Sequence, residues 1–188
     1  MTKYTAFNGT KIISSGPLPQ VIRTVIDRDM KDRVLIFDDE SGHPVEVDFR
    51  GSVDEVLARL PADPVHGSEN ESPNESRGPG RPKLGVVARE VTLLPRHWEW
   101  LAAQPGGASV ALRKLVETAR RENEGRDSIR ARQEAVYRFM SAIAGNLPGF
   151  EEAIRALFAK ERIRFLNQID SWPSDMRDYT KRIAENAF

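Results

Sequence analysis

Apolar residues recur along this chain with two different periods, separated by a stretch with no period at all. Tyr4–Phe7 and Lys11–Ser14 predict two strands joined at Asn8-Gly9, a dipeptide that suits the positive φ angles of a tight hairpin. Val21, Ile22, Val25 and Ile26 follow at helical spacing behind Pro17 and Pro19. Arg33–Phe37 reads as a buried strand, Glu40–His43 as a turn, and Val45, Val47 and Phe49 alternate like a half-buried strand. Ser52 with Glu55 three residues later has the form of a capping box, and Val53, Val56, Leu57 and Leu60 make the apolar face of the short helix behind it. The predicted order for a first, α+β domain over residues 1–60 is ββαββα.

Residues 61–83, PADPVHGSENESPNESRGPGRPK, lose the pattern. Such a composition cannot bury enough apolar surface to offset its ordering entropy, so a flexible linker is expected, ending in a basic Gly/Pro arm. Residues 84–125 regain it as a separate module. Arg89–Leu94 alternates, with Val91 and Leu93 on one side and Glu90, Thr92 and Leu94 on the other. Pro95 suits a helix start, Trp98, Leu101 and Ala102 share a face, and Pro105-Gly106-Gly107 ends the helix. Ser109 is the expected N-cap of a second helix carrying Leu112, Leu115, Val116 and Ala119. Residues 126–188 read as helical. One helix is expected from Asp127 to Ala144, a second from Phe150 toward Ile169, and a last one from Asp175 to Asn186, with breaks at Asn146–Gly149 and Trp172–Ser174.

Charge changes the picture locally rather than globally. Basic and acidic residues balance at 28 each, whereas a nucleic-acid binder is more often basic. Residues 61–76 carry a net charge of −4 and residues 77–96 a net of +4, and salt confines such fields to within ~10 Å. No apolar run approaches the ~18 residues of a membrane span, and the first residues lack the apolar stretch of a signal peptide. The chain has no cysteine, which removes thiolate chemistry and fits a cytoplasmic protein.

Catalytic constellations are not apparent. Asp38, Asp39 and Glu40 after a buried strand read as a solvated turn in preference to a magnesium site, and His43, His66 and His97 have no neighbours at metal-ligand spacing. Ser14-Ser15-Gly16 lacks the context of a nucleophile elbow. Arg130, Arg132 and Arg138 read as a solvated helix face, Trp98 as core, and Trp100 as a dimer or domain contact. No enzyme, cofactor or metal is expected.

The order strand, short helix, glycine turn, longer helix over residues 89–122 resembles the ribbon-helix-helix repressors. The resemblance implies a homodimer, or a higher even oligomer, whose paired strands enter the major groove of double-stranded DNA. Carried over, it implies a dimer core of Val91, Leu93, Trp98, Leu101, Leu112, Leu115 and Val116. It also implies a base contact from Thr92 and phosphate contacts from Arg89, Arg96 and the helix start at Gly107, Ala108 and Ser109. Glu90 and Leu94 depart from the polar or basic readers usual in that ribbon. Gly80-Arg81-Pro82 resembles the core of an AT-hook, which implies that Arg77, Arg81 and Lys83 form a minor-groove arm. The chain as a whole is similar to an uncharacterised bacterial family, domain of unknown function 2239, through residues 82–120, the Phe7-Asn8-Gly9 hairpin and the strand at Val34–Asp39. That similarity implies a layout and no chemistry. The expected function is a dimeric transcriptional regulator, and the alternative is an interaction or scaffold protein whose central module only dimerises.

Overall fold

Gly9, at φ +58°, closes the hairpin between β1 (Tyr4–Asn8) and β2 (Lys11–Gly16), with Asn8 opposite Lys11 and a register shift between Ala6 and Phe7. The computed structural model describes residues 3–31, 33–60 and 89–188. After the hairpin come α1 (Leu18–Asp27), β3 (Val34–Asp38), β4 (Pro44–Val45) and α2 (Val53–Ala58). The strands form one antiparallel sheet in the order β2-β1-β3-β4. Then follow α3 (Pro95–Ala102), α4 (Gly107–Ile143), α5 (Phe150–Phe158), α6 (Arg162–Ile169) and α7 (Ser174–Ile183). The chain is thus a mixed α+β protein, mostly helical, with a four-stranded sheet and seven helices among the described residues. None of these helices is long and apolar enough to cross a membrane.

The described residues divide into two units. One comprises the residues up to 60 together with those from 125 onward; the other comprises residues 89–124. In the first, the sheet is covered on both faces. Tyr4, Ala6 and Ile36 face α1 and α2 through Leu18, Val21, Ile22, Val25 and Val56. Phe7 and Phe37 point the other way, into a core built by the C-terminal helices. Phe139 stands at its centre, with ring centroids 5.4 Å from Phe7, 5.0 Å from Phe37 and 4.5 Å from Tyr179. Aromatic pairs of this kind add ~1 kcal/mol each beyond their burial. The C-terminal helices therefore pack on the sheet of their own chain.

Where the elements differ from expectation, local geometry supplies the reason. The strand expected through Val45, Val47 and Phe49 is reduced to Pro44–Val45; Val47 and Phe49 still pack against the α1 core but form no ladder. The helix expected from Phe150 toward Ile169 is two helices. Lys160, at φ +60°, ends α5 with a Schellman pattern: its N–H donates to Leu157 O at 3.1 Å and that of Glu161 to Ala156 O at 2.9 Å. The helix expected to begin at Asp127 instead continues unbroken from Gly107, so α4 runs through Gly125. A single glycine inside a helix costs only ~1 kcal/mol, too little to end it.

The turn after β3 is gripped from outside. The Asp38 carboxylate is buried and accepts hydrogen bonds from the Glu40 N–H (2.9 Å), the Ser41 N–H (2.7 Å) and the Ser41 hydroxyl (3.0 Å). The solvated-turn expectation therefore fails for Asp38, whose oxygens bond within the turn. Arg132 donates to the carbonyl of Glu40 at 3.3 Å and Arg138 to that of Ser41 at 3.0 Å. These two arginines, expected on a solvated face, hold the turn. Asp39 takes a hydrogen bond from the Tyr179 hydroxyl at 2.9 Å and an ion pair from Arg182 at 2.8 Å. Burial, followed by the charge on Asp39, pushes the Tyr179 hydroxyl well above its ordinary pKa of 10.0.

Candidate nucleic-acid interface

The unit at residues 89–124 begins with a segment, Arg89–Leu94, that forms no strand. An isolated alternating segment has no ladder without a neighbour, and no described residue of the same chain supplies one. The expected strand is thus absent from the single chain. Leu94 caps α3 with extended dihedrals, φ −65° and ψ 149°, and Pro95 takes the first helical position, where its missing N–H costs nothing. Gly106 (φ +88°) and Gly107 (φ +75°) turn the chain sharply into α4. A Cβ on Gly106 would press on Val110 at 3.1 Å. Ser109, expected as N-cap, lies inside α4, because the glycines let the helix start at Gly107.

The residues expected to form the dimer core do not close on one another within the chain. Leu101 is buried at 3% exposure, and Leu93 and Leu112 are half-buried. Val91, Trp98, Leu115 and Val116 are exposed, Val116 at 65%. Trp98 is therefore not part of a core within the single chain, and Trp100 is more exposed still. The inward position that the pattern missed is Ala111, which is buried where Leu112 was expected to lead the apolar face. Its signal is faint, since alanine is neutral in any apolar period. Trp100, Gln104, Pro105, Ala111, Lys114 and Leu115 line a groove of about 190 Å³.

Among the residues expected on DNA, Arg89, Thr92, Arg96 and Ser109 are exposed, while Gly107 and Ala108 are half-buried. Arg89, Glu90 and Arg96 form no ion pair with another described residue. Farther along α4, Glu117 pairs with Arg120 at 3.0 Å and Arg121 at 3.4 Å. The expected arm, with Arg77, Arg81 and Lys83, and the expected linker lie outside the described residues, as does His66. What the unit offers chemically is cationic and apolar surface, with the first-turn N–H groups of α4, which have no intrahelical acceptor. Among the described residues there is no cluster of three or more metal-ligating side chains.

A four-stranded antiparallel sheet packed on the helices of the same chain, with a separate helical unit, defines the structural class. Residues 3–184 match the family described as "Uncharacterized protein conserved in bacteria (DUF2239)", and the chain belongs to that family. No curated protein and no solved structure matches it.

Proposed function

We propose that the chain is a homodimeric protein that binds double-stranded DNA and acts in transcription regulation. The observation that carries this reading is the unit at residues 89–124, where an exposed apolar surface and the exposed cations Arg89 and Arg96, which have no ion-pair partner among the described residues, occur on one small piece of chain. Two copies closing their apolar sides would bring their Arg89–Leu94 segments together, each giving the other the ladder partner it lacks. That is the ribbon-helix-helix arrangement, with Thr92 turned to base edges. The start of α4 at Gly107–Ser109 would take a phosphate on the N–H groups of Ala108 and Ser109, that of Gly107 already donating to the Gln104 carbonyl at 2.9 Å. Arg77, Arg81 and Lys83 would extend the contact into the minor groove. Glu90 opposes phosphate, so affinity rests on these cations. A cytoplasmic location and the absence of a catalytic role go with the same reading.

Titrating random and A·T-rich duplexes with the protein over a salt series tests it. Binding should weaken linearly in log–log form, with a slope reporting several phosphate contacts. A chain that fails to shift either duplex at low salt is not a DNA binder. Exposed Glu90, beside Arg89, favours a second reading, in which the unit dimerises and serves only protein assembly. That reading expects a dimer without the shift.

A further inference from the structure

Glu90 and Leu94 are the two outward positions of the segment Arg89–Leu94 to which the proposed function gives no task. Both are exposed, Leu94 at 50%, and Thr92 between them is exposed as well. In an extended segment these alternate positions share one side, while Val91 and Leu93 share the side that two copies would close. Leu94 already has extended dihedrals, φ −65° and ψ 149°. Glu90 has no ion-pair partner among the described residues. An acceptor-only group and an apolar group thus stand on the side that would face DNA.

The major groove offers few matches for either. A carboxylate can only accept a hydrogen bond, and among phosphates it needs one to offset its repulsion. The donors on the base edges are the amino groups of adenine and cytosine. That of adenine stands between two acceptors, its own N7 and the thymine O4, which repel a carboxylate. That of cytosine has an acceptor on one side only, the guanine O6. Leucine has no hydrogen bond to offer, and the thymine C5-methyl is the apolar group of that groove. Alternate residues of a strand advance about 6.7 Å, so Glu90 and Leu94 would stand about 13 Å apart, a few base-pair steps of about 3.4 Å.

We infer that Glu90 selects a cytosine by accepting a hydrogen bond from its amino group, and that Leu94 selects a thymine by covering its methyl group. This rests on the DNA-binding reading above and adds which bases the ribbon prefers. The two-fold axis of the dimer repeats the pair in each half-site. What Glu90 costs in affinity it returns in selectivity, because a site without the cytosine leaves the carboxylate facing acceptors and phosphates.

Selection from a random duplex library with the full chain, followed by titration of the enriched duplex, tests it. The enriched half-site should hold a cytosine and a thymine within a few base pairs, and replacing the cytosine should weaken binding about 10-fold. Glu90→Gln should exchange the preference. Its amide pairs with adenine N6 and N7, so adenine should replace cytosine at that position, while affinity for unrelated duplexes rises as a charge repelled by phosphate is removed. Exchanging the thymine for deoxyuridine removes only the methyl group, and should weaken the unsubstituted chain about fourfold while leaving Leu94→Ala nearly indifferent. Both positions are exposed, so both variants should keep the far-UV spectrum of the unsubstituted chain. An enriched site without the two bases, a Glu90→Gln variant that still selects cytosine, or a chain blind to the methyl group overturns this assignment and leaves the DNA-binding reading standing. A chain that shifts no duplex at low salt overturns both.

Discussion

Gly42 rests on the backbone of Ala135 so closely that a Cβ added to it would overlap the Ala135 carbonyl group. The contact joins the turn after β3 to the C-terminal part of α4, and Gly42 adopts φ +69° there. Gly42→Ala therefore meets two penalties, a strained backbone and a clash with atoms that cannot swing aside. It should cost about 3 kcal/mol, lowering the Tm by roughly 10 °C in a thermal melt followed by circular dichroism. A melt within a degree or two of the unsubstituted chain would contradict this packing.

The Tyr179 hydroxyl links stability to pH at the alkaline end. Its pKa is raised in the folded chain by burial and then by Asp39, so the folded state keeps a proton that the unfolded state releases above pH 10.0. Stability from this group is complete below the unfolded value and is lost as pH rises beyond it. Denaturant midpoints should fall above about pH 10, and Tyr179→Phe should flatten that fall while costing about 1 kcal/mol at neutral pH. Phenolate absorbance assigned to Tyr179, by difference from the phenylalanine variant, should appear only with unfolding.

Asp48 reports the opposite end of the scale. Hydrogen bonds from the Arg50 side chain and backbone hold its pKa at about 2, below the ordinary 3.8. The stabilisation is present above 3.8 and disappears as pH falls through 2. The pair is solvent-exposed, so the effect belongs to the titration curve more than to the melt. Carboxyl-carbon resonances should show Asp48 titrating near 2, and Arg50→Ala should return it toward 3.8.

If Arg89 and Arg96 hold phosphates, each replacement by alanine should reduce the salt slope of DNA binding by about 1 and weaken all sequences alike. Thr92→Ala should act differently, changing the preference among duplexes with little change in slope. Slopes untouched by both arginine variants would remove them from the interface.

Local signals in the sequence were the ones that survived translation into structure. The Ser52–Glu55 capping box is complete, with the Ser52 N–H donating to Glu55 at 2.8 Å and the Glu55 N–H to Ser52 Oγ at 3.3 Å. Everything it needs lies within four residues. Asn8-Gly9 turned the hairpin for the same reason. The break after α5 was hidden because lysine occupies the left-handed position where glycine usually announces a helix end. Gly125 misled in the other direction, offering a glycine where α4 continues. The grip of Arg132 and Arg138 on the β3 turn joins residues more than ninety positions apart, and no period or motif marks such a contact. For the candidate interface, the sequence marked the apolar residues of the unit at 89–124. It could not tell a core from a surface awaiting one, because both need the same residues.

The Phe7 ring meets the Tyr179 ring edge-on, with centroids 5.1 Å apart, although nearly the whole polypeptide separates them. A ribosome adding roughly 5–20 residues each second therefore completes the first hairpin some ten to thirty seconds before Tyr179 exists to cover it. During that interval the face of β1 that bears Phe7 waits in water. Synthesis, not only sequence, leaves this sheet half-clothed, and any crowding of nascent chains would meet it first at Phe7 and Phe37.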